Sequence, residues 1–68
     1  MTENEAIATL ALTNDIAAQD KFLALPNRDE LTVALATKGL ARTRMTKRYI
    51  KFLPTAAALA QAKEILAR

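Results

Sequence analysis

The sequence predicts an all-α domain: a small bundle of three to four helices with a helix-turn-helix-like middle and a dimeric assembly. Ala and Leu together supply twenty-five of the 68 residues, whereas Val and Ile supply five, a balance that favours helix over strand. No alternating run of strand length appears, and cap-forming residues punctuate the chain at the intervals that short helices need. The length suits one domain over residues 1–68, close to the lower limit for a single core. Ordering the chain costs on the order of 100 kcal/mol at about 1.5 kcal/mol per residue. Fifteen of the apolar residues are Ala, which return little on burial, so a homodimer is expected.

Thr2 followed by Glu5 has the spacing of a capping box and opens a helix from about Glu3 toward Leu25. At roughly 100° per residue, Ile7, Leu10, Ala11, Ala18 and Leu25 fall on one side, and Leu12, Ile16 and Leu23 fall nearly opposite. Two apolar faces need two partners. Either this helix lies in the middle of a bundle or dimer, or it breaks at Thr13-Asn14-Asp15, residues that favour a new helix start.

Pro26 stops the first segment, and Asn27 with Glu30 supplies a cap for a second helix from about Arg28 to Lys38. Leu31, Ala34 and Leu35 form its buried stripe. Gly39, the one glycine in the chain, sits where a left-handed residue would end that helix, with Leu40 able to pack back on it. Thr43 is a cap for a third helix through about Phe52, and Pro54 suits the first turn of a fourth. The fourth places Ala58, Leu59, Ala62, Ile65 and Leu66 on one arc of roughly 120°, a packing face.

Composition excludes several classes of function. The chain has no Cys, His or Ser, which removes disulfides, thiolate or imidazole metal sites and the usual nucleophiles. Its acid pairs, Glu3 with Glu5, Asp15 with Asp20 and Asp29 with Glu30, are scattered, and Glu5 and Glu30 are accounted for by capping. We therefore expect no enzymatic activity, no catalytic residue, no metal, no cofactor and no small-molecule substrate. The longest apolar runs are five residues, as in Ala56 to Ala60, so no membrane span is expected. An acidic start, Met1-Thr2-Glu3-Asn4-Glu5, has no secretory pattern, and a cytoplasmic location is the default expectation.

Charge is the informative feature. The net charge is +3, yet residues 1–37 carry −4, residues 38–51 carry +6 with no acid, and the remainder carries +1. On a helical projection of residues 43–52, Met45, Tyr49 and Phe52 group at the spacing of a core stripe. Arg44, Lys47, Arg48 and Lys51 occupy a separate arc of roughly 100°. Such an arc concentrates positive potential for a phosphate backbone or an acidic surface. Thr43 and Thr46 add hydrogen-bond donors.

Two functions follow. The first is a non-enzymatic regulatory protein that binds DNA through a basic helix at residues 42–51. The segment Leu31 to Ile50 resembles a helix-turn-helix in length, with Gly39 in the turn and apolar Leu40 and Met45 after it. Leu35, Lys38 and Arg48 depart from that pattern. Expected contacts are Lys38, Arg42, Arg44, Lys47, Arg48 and Lys51, with Arg suited to guanine edges. RNA is less favoured, because the spacing of Tyr49 with Met45 and Phe52 reads as core rather than as a stacking platform. The second is a small inhibitor or adaptor that docks the same face on an acidic host regulatory protein, with Tyr49, Phe52 and Leu53 as anchors if exposed. In its small size and Ala-rich, Cys-free character the chain resembles accessory proteins of phages or plasmids.

Overall fold

Thr2 opens the fold as its spacing with Glu5 predicts. In the computed structural model, which describes residues 1–68, the Thr2 hydroxyl accepts the Glu5 N–H at 3.1 Å and the Glu5 carboxylate accepts the Thr2 N–H at 3.0 Å. This capping box starts α1 (Glu3–Leu12). Asn14 then adopts a left-handed φ of 69°, and the Asp15 carboxylate accepts the Ala18 N–H at 3.0 Å to start α2 (Ile16–Leu23). Of the two readings of the first segment, the break at Asn14 is the one observed. A left-handed residue cannot continue a helix, and Asn tolerates that conformation through its short polar side chain.

α1 is the central element. Ala6, Ile7, Ala8, Thr9 and Ala11 are buried, and α2, α3 and α4 all pack against it. Thr9 is accommodated because its hydroxyl donates to the Glu5 carbonyl at 2.8 Å, so no buried donor is left unpaired. α3 (Arg28–Thr37) contributes Leu31 and Leu35, which join Ala8 and Ala41 in the core, with Met1, Leu12, Phe22, Leu25 and Leu40 packed around them. Asn27 precedes α3 but makes no side-chain capping bond, contrary to expectation. The end of α3 matches expectation in detail: Gly39 has φ 75°, its N–H donates to the Ala36 carbonyl, and the Leu40 N–H donates to the Leu35 carbonyl. These two bonds make a Schellman motif, with Leu40 packed on the same cluster as Leu35.

After Gly39 the expectation of an all-α bundle fails. Residues 43–52 are not a third helix: the chain forms β1 (Ala41–Met45) and β2 (Ile50–Pro54), an antiparallel pair, so the fold is mixed α+β. The helix-turn-helix-like segment Leu31 to Ile50 fails with it, because a strand follows Gly39. The register opposes Ala41 with Pro54, Arg42 with Leu53, Thr43 with Phe52, Arg44 with Lys51 and Met45 with Ile50. Alternation explains the outcome. Ala41, Thr43 and Met45 on β1, and Ile50, Phe52 and Pro54 on β2, share one face of the ribbon. Burying Ala41 at its root fixes that face against the body.

Pro54 closes the ladder at its end and does not begin a helix; the Thr55 N–H donates to the Leu40 carbonyl at 3.0 Å, and the Thr55 hydroxyl caps the next helix by accepting the Ala58 N–H at 3.2 Å. That helix, α4 (Ala56–Leu66), packs along α1 with Ala58 and Ala62 fully buried and Leu59, Ile65 and Leu66 half-buried, as the predicted arc requires. Small side chains here let the two helix backbones approach closely.

Candidate functional site

The cationic segment is a hairpin whose turn is built by one residue. Residues Thr46 to Tyr49 connect the strands. The Thr46 N–H donates to the Tyr49 carbonyl at 2.9 Å. Its hydroxyl donates to the same carbonyl at 2.8 Å and accepts the Tyr49 N–H at 3.1 Å. This is the local side-chain-to-backbone bonding by which Thr competes with helix formation. Lys47 and Arg48 are thereby held at the tip.

Register sorts the remaining cations. Arg44 and Lys51 are directly opposite one another on the ribbon face that carries Arg42 and Leu53, the face turned away from buried Ala41. Like charges placed directly across two strands repel. The protein contains two ion pairs, Lys38 with Glu5 and Arg68 with Glu64. None of the hairpin cations Arg42, Arg44, Lys47, Arg48 and Lys51 takes part in either, and all five are exposed.

Lys38 belongs to a different structure. Its Nζ lies 2.7 Å from Glu5 Oε2, joining the end of α3 to the start of α1. The Glu5 side chain is 3% exposed and that of Lys38 is 53% exposed. Hydrogen bonding from Lys38 holds the Glu5 carboxyl below its ordinary range, helped by the Thr2 N–H and opposed by desolvation. Of the six cations expected to form one surface, Lys38 is thus tied to the fold and five are grouped on the hairpin.

The anchor residues divide in the same way. Tyr49 is 62% exposed at the turn, and Met45, expected beside it in a core stripe, is 82% exposed. The core reading of the Met45, Tyr49 and Phe52 grouping is therefore overturned, since a strand period separates residues that a helix period brings together. Phe52 is half-buried and lines an open concavity of about 610 Å³ between α3 and the hairpin, with Leu12, Phe22, Arg28, Asp29, Thr32 and Val33. Leu53 is exposed on the cationic face. Ile50, which sequence reasoning did not single out, is exposed opposite Met45. The signal that would have found it is the alternation of Ile50, Phe52 and Pro54.

No group of three or more metal-ligating side chains converges in the fold, and no helix is long and apolar enough to cross a membrane. Comparison with protein-family models, curated protein sequences and solved structures found no match to this chain.

Proposed function

We propose that the protein acts without catalysis, by binding duplex DNA through its cationic β-hairpin, and that it does so as a homodimer in the cytoplasm. One observation carries this: five exposed cations lie on a single ribbon with no carboxylate partner, and two of them oppose each other across the strands. A hairpin that holds like charges together is stabilised by a ligand that neutralises them, and a phosphate backbone does so at closely spaced intervals. Two-stranded ribbons also have the width to enter a DNA groove. Arg42, Arg44 and Lys51 supply the strand contacts, and Lys47 and Arg48 supply those at the tip. α3 is a poor first contact, because Asp29 and Glu30 in its first turn place negative charge where it would meet phosphates. Dimerisation adds a second hairpin to a surface that is small for one copy.

Neutralising five phosphates with one hairpin predicts a slope of log affinity against log salt of about −4.5, which is roughly a 500-fold loss between 50 and 200 mM salt, and a dimer that engages both hairpins about doubles the slope. Fluorescence anisotropy with a random-sequence duplex measures this. Absence of binding at low salt overturns the proposal. Unchanged binding by the Arg44→Glu, Arg48→Glu double variant overturns the assignment of the site.

A second reading, docking on an acidic protein surface as an inhibitor or adaptor, is favoured by the exposed Tyr49 and Leu53 beside the same cations. A stoichiometric protein partner that survives nuclease treatment supports it over DNA.

A further inference from the structure

We infer that the tip of the hairpin is a wedge: the Met45–Ile50 pair enters between base pairs from the minor groove and kinks the duplex that the cations hold. This rests on the DNA reading above and goes beyond it by stating what the protein does to the DNA. Met45 and Ile50 oppose each other at the last rung of the ladder, and the two residues are 82% and 52% exposed. On the same face, Ala41 at the root is 6% exposed and Phe52 is half-buried. The body therefore covers the base of this face and leaves its end bare.

Charge identifies the occupant. Arg44 and Lys51 occupy the adjoining rung on the opposite face, and Lys47 and Arg48 lie in the turn just beyond, so cations flank the apolar pair along the hairpin and residues 38–54 contain no acid. A partner for this tip must present an apolar interior a few ångströms from a dense line of negative charge. The base stack of a duplex, flanked by its two backbones, has that arrangement. Apolar side chains on minor-groove proteins insert at base steps in this manner and kink DNA by roughly 20–90°. Such insertion favours sites that unstack easily, which are pyrimidine–purine steps and mismatches.

The test uses the full chain and a 30-base-pair duplex carrying a dye at each end and 2-aminopurine at a central step. Anisotropy reads binding, energy transfer between the ends reads bending, and 2-aminopurine emission reads unstacking. The native protein is expected to raise both energy transfer and emission, and to bind a duplex with one central mismatch several-fold more tightly than a matched one. Met45→Ala with Ile50→Ala, checked for retained helix content by circular dichroism, is expected to keep the salt slope while losing the bending, the emission change and the mismatch preference. Binding by the native protein with no bending overturns the wedge and leaves DNA binding intact; no binding at low salt overturns both. A double-alanine variant that bends DNA like the native protein but changes from dimer to monomer in light scattering assigns the pair to self-association and overturns the wedge.

Discussion

Removing the Lys38 ammonium tests whether this cation braces the fold or belongs to the binding surface. In Lys38→Met, the Glu5 carboxylate keeps the Thr2 N–H but loses the contact at 2.7 Å. Fully buried pairs cost about 3–5 kcal/mol when one partner is removed, and exposed pairs contribute about 0.2–1 kcal/mol. Here one partner is 3% exposed and the other 53%, so solvent screens the pair from the lysine side. An intermediate cost of about 1–2 kcal/mol is expected, which for a domain of this size lowers Tm by roughly 5–15 °C. The sign with pH follows from the depressed Glu5 carboxyl. A group whose pKa is lower in the folded state adds stability above its unfolded value, near 4.3 for Glu, and loses it as pH falls through the folded value. The gap between native and variant protein is therefore full at pH 7 and closes in strong acid, once Glu5 is protonated. Thermal unfolding followed by circular dichroism at both pH values measures it. A gap of equal size at both values, or none at pH 7, refutes the reasoning. A salt slope for DNA that drops by about one unit in this variant would show that Lys38 contacts phosphate after all.

Substitutions at two further positions, both beyond Lys38 in the chain, probe the hairpin turn and the end of α3. Thr46→Val removes the hydroxyl that both donates to and accepts from Tyr49, at a cost of about 1 kcal/mol. Hydrogen exchange is expected to accelerate at residues 41–54 while α1 and α4 keep their protection; uniform acceleration would contradict a turn held locally. Gly39→Ala places a side chain in open space, with no atom within 4 Å, but at φ 75°. The cost is backbone strain alone, about 1–2 kcal/mol in thermal unfolding, and Gly39→Asn is expected to cost less; equal stability of all three proteins would remove the argument from strain.

The parts of the fold that were legible in sequence are those closed by bonds within a few residues. The Thr2–Glu5 capping box and the Schellman end at Gly39 are local chemistry, and the residues needed are adjacent in the chain. The packing face of α4 was legible because one period fits it. The segment 41–54 fits two. Met45, Tyr49 and Phe52 satisfy a helix, while Ala41, Thr43 and Met45 with Ile50, Phe52 and Pro54 satisfy a hairpin. Its turn lacks the Asn-Gly or Asp-Gly pair that marks the tightest hairpins, which left the helical period unopposed. What decides is tertiary: Ala41 enters the cluster of Ala8, Leu31 and Leu35, and the Thr55 N–H reaches the Leu40 carbonyl. Lys38 reads in the sequence as part of the binding surface for a related reason, since its partner Glu5 is 33 positions away.

The change from helix to hairpin also alters what the charged segment can do. On a helix, Arg44, Lys47, Arg48 and Lys51 would form a stripe backed by Met45, Tyr49 and Phe52, and the apolar residues would be spent on the protein's own core. On the ribbon Arg44 and Lys51 lie on one face and Met45 and Phe52 on the other, Lys47, Arg48 and Tyr49 lie in the turn, and the apolar face meets the body at its root and at Phe52 but not at Met45. An isolated two-stranded hairpin is marginal in water, and this one carries an opposed pair of cations near its tip. Beyond the ladder itself, its alignment depends on the anchor at Ala41 and Thr55, on half-buried Phe52 and on the turn at Thr46, and nothing from the body supports the last rung at Met45 and Ile50. The tip therefore lies at the low-stability end of the molecule, where order responds most to a bound partner. On the proposed reading, a polyanion that relieves the Arg44–Lys51 repulsion and accepts the Met45–Ile50 pair would act on both weaknesses at once, so a single ligand would account for the charge and for the exposed apolar surface.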